Sequence, residues 1–201
     1  SNFFSKRSIT ASIRNKLMMD WSDENIFLEN RVKRENLRQL EKRSHVVYYF
    51  HSLTDPYSYL TSQVLENFIN KYNIELKVLF VSDPNDVFTP ERKMFDDYCL
   101  RDAAELAKYY DLKFENVDQI SKSNILSAYK ILNYYYFHKK ISQIEFIKLL
   151  KEISSYLWSN QTNKLNQIIS NFDEGEKVIF NIQENTLLED GNKKLSDFDY
   201  Y

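Results

Sequence analysis

Residues 46–60 read VVYYFHSLTDPYSYL, and they carry the strongest structural pattern in this chain of 201 residues. The run from Val46 to Phe50 is apolar, β-branched and aromatic, which is typical of a strand. Asp55 and Pro56 then form a good helix start. An Asp at the N-cap accepts backbone N–H bonds, and a Pro at the first helical position has no N–H to lose. We therefore predict a strand, an abrupt turn and a helix.

The residues after Pro56 complete a β-α-β unit. Apolar side chains recur there at helical spacing, namely Tyr57, Leu60, Val64, Leu65, Phe68, Ile69 and Tyr72. A second strand-like run follows at residues 76–81. Ligands of open α/β sheets bind at the carboxyl ends of the strands. The turn after His51 is thus the expected ligand site, with free amide hydrogens of the helix start directed at the ligand.

Composition excludes several kinds of chemistry. With only two glycines, Gly175 and Gly191, neither a phosphate-binding loop nor a dinucleotide fingerprint can be formed, so no nucleotide is expected. Cys99 is the one cysteine, which rules out an intrachain disulfide, a Cys-x-x-Cys motif and a zinc cluster. The three histidines do not share metal-ligand spacing, so we assign no metal.

Charge and hydropathy predict a soluble, cytoplasmic protein. The net charge of −2 gives no electrostatic reason to expect nucleic acid. A hydrophobic content of 43% and a charged content of 28% are those of ordinary globular proteins. No apolar run approaches membrane-spanning length and no signal peptide is evident, so we expect no membrane partner.

Two domains are expected. Residues 1–44 look helical and basic, with Ile9, Ile13 and Leu17 spaced four apart and a second helix starting near Ser22. They form an N-terminal extension that packs on the domain or on another subunit, or else a helix that docks on a membrane surface or a partner. Residues 45–201 form the main domain, which is helical in pattern after residue 91. Its last helix is predicted at 173–190 and ends at Gly191, with a strand over 178–182 as the alternative.

The turn at residues 49–60, YFHSLTDPYSYL, resembles the active-site turn of the DsbA-like thioredoxin-fold superfamily. The nearer branch contains 2-hydroxychromene-2-carboxylate isomerase and kappa-class glutathione transferase, in which this turn reads roughly F-x-x-x-S-P-Y-S-Y-L. Residues 90–112 and the pair Leu157-Trp158 are similar to two later helices of that branch. The resemblance covers about residues 46–170.

The resemblance implies an α/β fold: a thioredoxin-like β-α-β unit with a large helical insertion at about residues 91–172. Such folds close with a cis-proline, a β-hairpin and a final helix, but Pro90 is the last proline of this sequence. We therefore expect a helix-rich domain without the closing hairpin. Either the chain is a C-terminally truncated fragment of a longer protein, or the domain is degenerate.

The resemblance also implies a glutathione site at the turn. In glutathione-using relatives a Ser before the Pro stabilises the thiolate together with the helix N-terminus. Asp55 occupies that position here, and its carboxylate would raise the pKa of a thiol. Thr54 or Ser52 is the alternative source of a hydroxyl, and Ser58 stands where dithiol relatives have their second Cys.

His51 is the best candidate for proton transfer, with a structural hydrogen-bonding role as its alternative. Asp55 is either a general base or ligand-orienting acid beside it, or a plain N-cap. The predicted catalytic residues are thus His51, Ser52, Thr54 and Asp55. The predicted substrate-binding residues are Pro56, Tyr57, Ser58, Arg92, Lys93 and Arg101. The last three match the basic helix of the relatives, which holds an anionic substrate or the glutathione carboxylates; otherwise they are solvated helix charges.

Three functions follow as hypotheses. The first is a glutathione-dependent isomerase- or transferase-like enzyme acting on a small, aromatic or other organic acid. The second is a non-catalytic adapter that binds a small molecule or a protein. The third is one half of a larger two-domain or homodimeric protein, in which the chain is mainly structural.

Overall fold

The structure, a computed structural model, describes residues 24–82, 91–114, 120–182 and 186–198. The chain divides into two compact units, Ser1–His45 and Val46–Tyr201. In the first unit, helix α1 spans Glu24–Leu40 and confirms the second helix predicted for the extension. The helix predicted around Ile9, Ile13 and Leu17 lies outside the described residues.

The second unit is built on the predicted β-α-β arrangement. Strand β1 spans His45–His51, helix α2 spans Pro56–Lys71 and strand β2 spans Ile74–Phe80. The two strands pair in a parallel sheet, as a crossover through a helix requires. This confirms the strand, turn, helix and strand expected from residues 46–81.

Helices account for most of the remaining described residues, so the α/β domain is helix-rich. Helix α3 spans Arg92–Tyr109 and α4 spans Lys122–Asn133, which a π-helical segment, Tyr134–Lys139, extends directly. Helices α5 to α8 are Gln143–Trp158, Thr162–Ser170, Glu174–Ile182 and Thr186–Asp197. Ser142 and Glu145 form a capping box at the start of α5.

The core lies between the sheet and helices α2, α4 and α5. Alternate side chains of β2, Leu76, Val78 and Phe80, are buried in it. The ring of Phe80 meets those of Tyr129 on α4 and Phe146 on α5 at centroid distances of 6.2 and 6.3 Å. Complete burial of such a Phe contributes about 2–3 kcal/mol. This packing fixes the carboxyl end of the sheet, where the turn lies.

The helix predicted for residues 173–190 is confirmed at 174–182 and 186–190, but the strand alternative and the helix end at Gly191 are wrong. Residues 174–182 are the helix α7 rather than a strand, and Gly191 lies inside α8 rather than after a helix end. Helix α8 packs against β2, and the side chain of Asn192 bonds the backbone N–H and the hydroxyl of Ser82. No helix in the described part of the chain combines the length and apolar character needed to cross a bilayer.

Candidate functional site

The turn between β1 and α2 takes four residues, 52–55. The carbonyl of His51 accepts the Val81 N–H at 3.0 Å, so the strand is still paired at its last residue. The Asp55 N–H then bonds the Ser52 carbonyl at 3.3 Å. The side chain of Leu53, within this turn, is buried. The chain therefore passes from sheet to helix as the sequence predicts.

Asp55 is the N-cap of α2, and it uses the donors of the first helical turn. Its carboxylate accepts the N–H of Tyr57 at 3.4 Å and the N–H of Ser58 at 2.8 Å. Pro56 has no N–H, and the N–H of Tyr59 bonds the Asp55 carbonyl at 3.2 Å. The expectation of free amide hydrogens is therefore not met at residues 56–59. The helix start already holds an anion, which is the chain's own carboxylate.

The hydroxyl groups of the turn are bonded within the turn. The Ser58 hydroxyl donates to the Asp55 carboxylate at 2.7 Å and accepts the Ser52 N–H at 3.3 Å. The hydroxyls of Ser52 and Thr54 are 3.0 Å apart, and the Thr54 N–H bonds the Ser52 oxygen at 3.4 Å. Ser52, Thr54, Asp55 and Ser58 thus form one continuous network. These bonds hold the turn to the start of α2, which is a structural role.

His51 lies beneath the turn and is only 1% exposed. The Tyr49 hydroxyl donates to the Ser58 carbonyl at 3.2 Å, which leaves its oxygen to accept from His51 Nδ1–H at 2.8 Å. Burial lowers the pKa of His51 to about 3, because the charged ring would lose its hydration. The neutral ring packs edge-on against Phe80. His51 therefore joins β1 to α2 and the core.

Tyr57 links the turn to α3. Its hydroxyl donates to the Asp102 carboxylate at 2.7 Å and also interacts with the thiol of Cys99. Burial and the neighbouring Asp102 raise the pKa of Tyr57, and burial raises the pKa of Cys99. Cys99 is buried. Tyr49 and Asp102 were not predicted as site residues, because only their contacts with Ser58, His51 and Tyr57 place them here.

The three predicted basic residues pair along α3. Arg92 contacts Asp96 at 3.1 Å and Lys93 contacts Asp97 at 3.0 Å, each four residues further along the helix. The guanidinium of Arg101 donates to the Asp97 carbonyl at 3.2 Å and is exposed. These contacts match the solvated-charge alternative. The charged side chain of α3 that contacts Tyr57, at the start of α2, is Asp102, and its charge would disfavour an anionic substrate.

A cleft of about 550 Å³ lies further along α2, between α2, residues 111–113 and α5. Aromatic rings of Tyr59 and Tyr156 contribute to its walls. Gln63 bridges it to the neighbouring segment by donating to the Lys113 carbonyl at 2.8 Å and accepting the Lys113 N–H at 2.9 Å. The other lining residues are mostly charged: Glu66, Asp111, Leu112, Lys148, Lys151, Glu152 and Ser155. We call this site the α2–α5 cleft.

Across the described ranges, no group of three or more His, Cys, Asp or Glu side chains is arranged to hold a metal ion. No family model, curated protein or solved structure matches the chain. The functional conclusion therefore depends on the geometry of the turn and the cleft.

Proposed function

We propose that this chain is a thioredoxin-like binding module that performs no chemistry at its β1–α2 turn. One observation carries the proposal: the Asp55 carboxylate occupies the donors of the first turn of α2. In the glutathione-using proteins that the turn resembles, those donors and a Ser hydroxyl stabilise the thiolate. In this chain the Asp55 carboxylate occupies the position that the thiolate would take.

The charge of Asp55 prevents the turn from stabilising a thiolate. A helix N-terminus stabilises one nearby anion by about 0.3–1 kcal/mol. A thiolate arriving beside Asp55 would find the donors used and would meet a like charge, which raises its pKa instead of lowering it. Asp102, joined to the turn through Tyr57, adds a second negative charge. A bound thiol would therefore stay protonated and weakly nucleophilic.

The proton-transfer residue of the enzyme hypothesis is also poorly placed. A general base must reach the proton that it abstracts, at about 3 Å or through one water. His51 is 1% exposed and holds Tyr49 through Nδ1. With its pKa lowered to about 3 by burial, it is also a weak base at neutral pH. Its contacts support a role in holding the strand to the helix.

Glutathione titration tests the catalytic half of the proposal. We expect millimolar reduced glutathione to leave the melting temperature of the protein unchanged. We also expect no conjugation to an electrophilic nitrobenzene above the buffer rate. The matched variant is Asp55→Asn, which retains a capping side chain but removes the charge. Conjugation by the wild-type protein that falls in Asp55→Asn would overturn the proposal.

The binding half is assigned to the α2–α5 cleft. Its lining offers lysines and carboxylates side by side with the half-buried ring of Tyr156, and Lys148 faces Glu66 at 3.5 Å. This chemistry suits a small zwitterion with an aromatic group, such as an amino acid or a short peptide. A ligand of this class can exchange the existing ion pair for its own charges while stacking on a ring.

A panel of aromatic amino acids and their dipeptides serves as the probe for the cleft. We expect saturable amide shifts at Gln63 and Lys151 in NMR titrations. Lys151→Glu should weaken binding, whereas Lys164→Glu on α6, outside the cleft, should leave it unchanged. Equal binding by both variants, or no response to the panel, would remove the cleft from the proposal.

A further inference from the structure

The two edges of the sheet differ. Because the His51 carbonyl bonds the Val81 N–H, the backbone groups of residues 47, 49 and 51 point toward β2. Those of Val46, Tyr48 and Phe50 therefore point to the opposite side, which we call the β1 edge. Among the described residues, the sheet contains only β1 and β2, so no third strand lies along this edge.

The corresponding edge of β2 is closed by other parts of the domain. The Leu76 N–H, which points away from β1, donates to the Gln143 side chain at 2.8 Å. Further along, Gly191 of α8 lies against the backbone of Phe80, so closely that a Cβ atom would be 1.7 Å from the Phe80 oxygen. A strand cannot be added beside β2 without moving α8.

The β1 edge lacks the usual protection of exposed strands. Soluble proteins keep other chains off such edges with charged residues, proline or bulges. The strand HVVYYFH has no Asp, Glu, Lys, Arg, Pro or Gly, and Val46 and Tyr48 are 42% and 37% exposed. Lys77 and Lys194 lie over the Tyr48 ring, on the face of the sheet, and each has an acidic neighbour. A two-stranded sheet is also marginally stable by itself.

We propose that the β1 edge binds the β1 edge of a second copy of this chain. Antiparallel pairing about a two-fold axis through Tyr48 places Tyr48 opposite Tyr48 of the second copy, and Val46 opposite Phe50. The three outward-facing residues of each strand then exchange about six main-chain hydrogen bonds. The product is one four-stranded sheet of order β2-β1-β1-β2.

Charge complementarity selects a second copy as the occupant. A neutral strand opposes no like charges when it pairs with itself, and the aromatic and β-branched pairs that result are favourable ones. A charged strand from another protein would bring charges that nothing along HVVYYFH can pair. The two-fold arrangement is also self-complementary, because the same residues serve both partners. This inference is independent of the proposed function, since it uses neither Asp55 nor the α2–α5 cleft.

Sedimentation equilibrium of the full chain tests the inference with two matched variants. Val46→Lys places a charge on the β1 edge, and Val64→Lys places the same charge on α2 at a site of similar exposure, 40% against 42%. We expect the wild type and Val64→Lys to sediment as dimers, and Val46→Lys as a monomer with an unchanged circular dichroism spectrum. A wild type that stays monomeric at micromolar to submillimolar concentration would overturn the inference.

Val46→Pro provides a second variant if the lysine disturbs folding. The Val46 N–H points away from β2, so a proline there removes an outward donor and leaves the pairing with β2 intact. It should also abolish the dimer. Hydrogen exchange should show amides of Tyr48 and Phe50 protected only in the wild-type dimer. If Val46→Pro and Val46→Lys each dimerise as tightly as the wild type, pairing through the β1 edge is refuted.

Discussion

Gly191→Ala provides a direct test of how α8 packs on the sheet. A Cβ atom at this position would lie 1.7 Å from the oxygen, 2.6 Å from the carbonyl carbon and 2.8 Å from the nitrogen of Phe80. All three are backbone atoms of β2, and Phe80 is fully buried, so they have no room to shift. The substitution therefore requires α8 to move away from the strand.

The cost of this movement can be bounded from its parts. Forcing an extra methyl group into a packed contact costs about 1–3 kcal/mol. Separation of α8 from β2 would also strain the two hydrogen bonds of Asn192 to Ser82, at about 1 kcal/mol each. The better helix propensity of Ala returns about 1 kcal/mol. We expect a net loss of about 2–4 kcal/mol in the free energy of unfolding, measured by urea denaturation.

Gly175→Ala is the matched control. A Cβ at Gly175 meets only the Asp173 carboxylate oxygen, at an ordinary 3.4 Å, and Gly175 also lies in a helix. That variant should be unchanged or more stable by up to about 1 kcal/mol. If Gly191→Ala is as stable as Gly175→Ala, the close packing of α8 on β2 is refuted.

Three further predictions concern the turn and the core. Asp55→Ala should lower stability by about 1 kcal/mol, and Asp55→Asn by less, in thermal unfolding. Burial holds the pKa of His51 at about 3, below its ordinary 6.5, so stability should be constant above pH 6.5 and fall as the pH drops from there toward 3. The slope should approach about 1.4 kcal/mol per pH unit. His51→Asn should flatten that part of a urea-unfolding pH series, and an equally steep series would contradict this account. Buried Asn133 accepts hydrogen bonds from the Thr186 hydroxyl and the Leu187 N–H at the start of α8. Asn133→Ala should therefore lower the free energy of unfolding by about 1–3 kcal/mol in urea denaturation, and an unchanged value would contradict a role for these bonds in stability.

The elements around the turn were predictable because their signals are local. A β-branched run, an Asp-Pro pair and helical spacing all lie within residues 46–72, and each determines its own backbone. The pairing of Arg92 with Asp96 was equally visible as a four-residue spacing on one helix. Asp55 was open to two interpretations, and its side-chain bonds to Tyr57 and Ser58 decide for the N-cap.

What the sequence could not supply depends on contacts between distant segments. Asp102 reaches Tyr57 across 45 residues, and the burial of His51 depends on Phe80 in the next strand. Gly191 was interpreted as a helix end because glycine favours that position. Its φ is not positive, and its role is the close approach to β2. Nothing local distinguishes these two uses of a glycine.

Backbone NMR of the turn tests the central claim, that Asp55 leaves the first turn of α2 no donor for a guest anion. Reduced glutathione is titrated into the wild-type protein while the amide resonances of Tyr57 and Ser58 are followed. The account predicts that neither resonance moves. A saturable shift of the Ser58 amide would contradict it, because that N–H would then be available to an outside ligand.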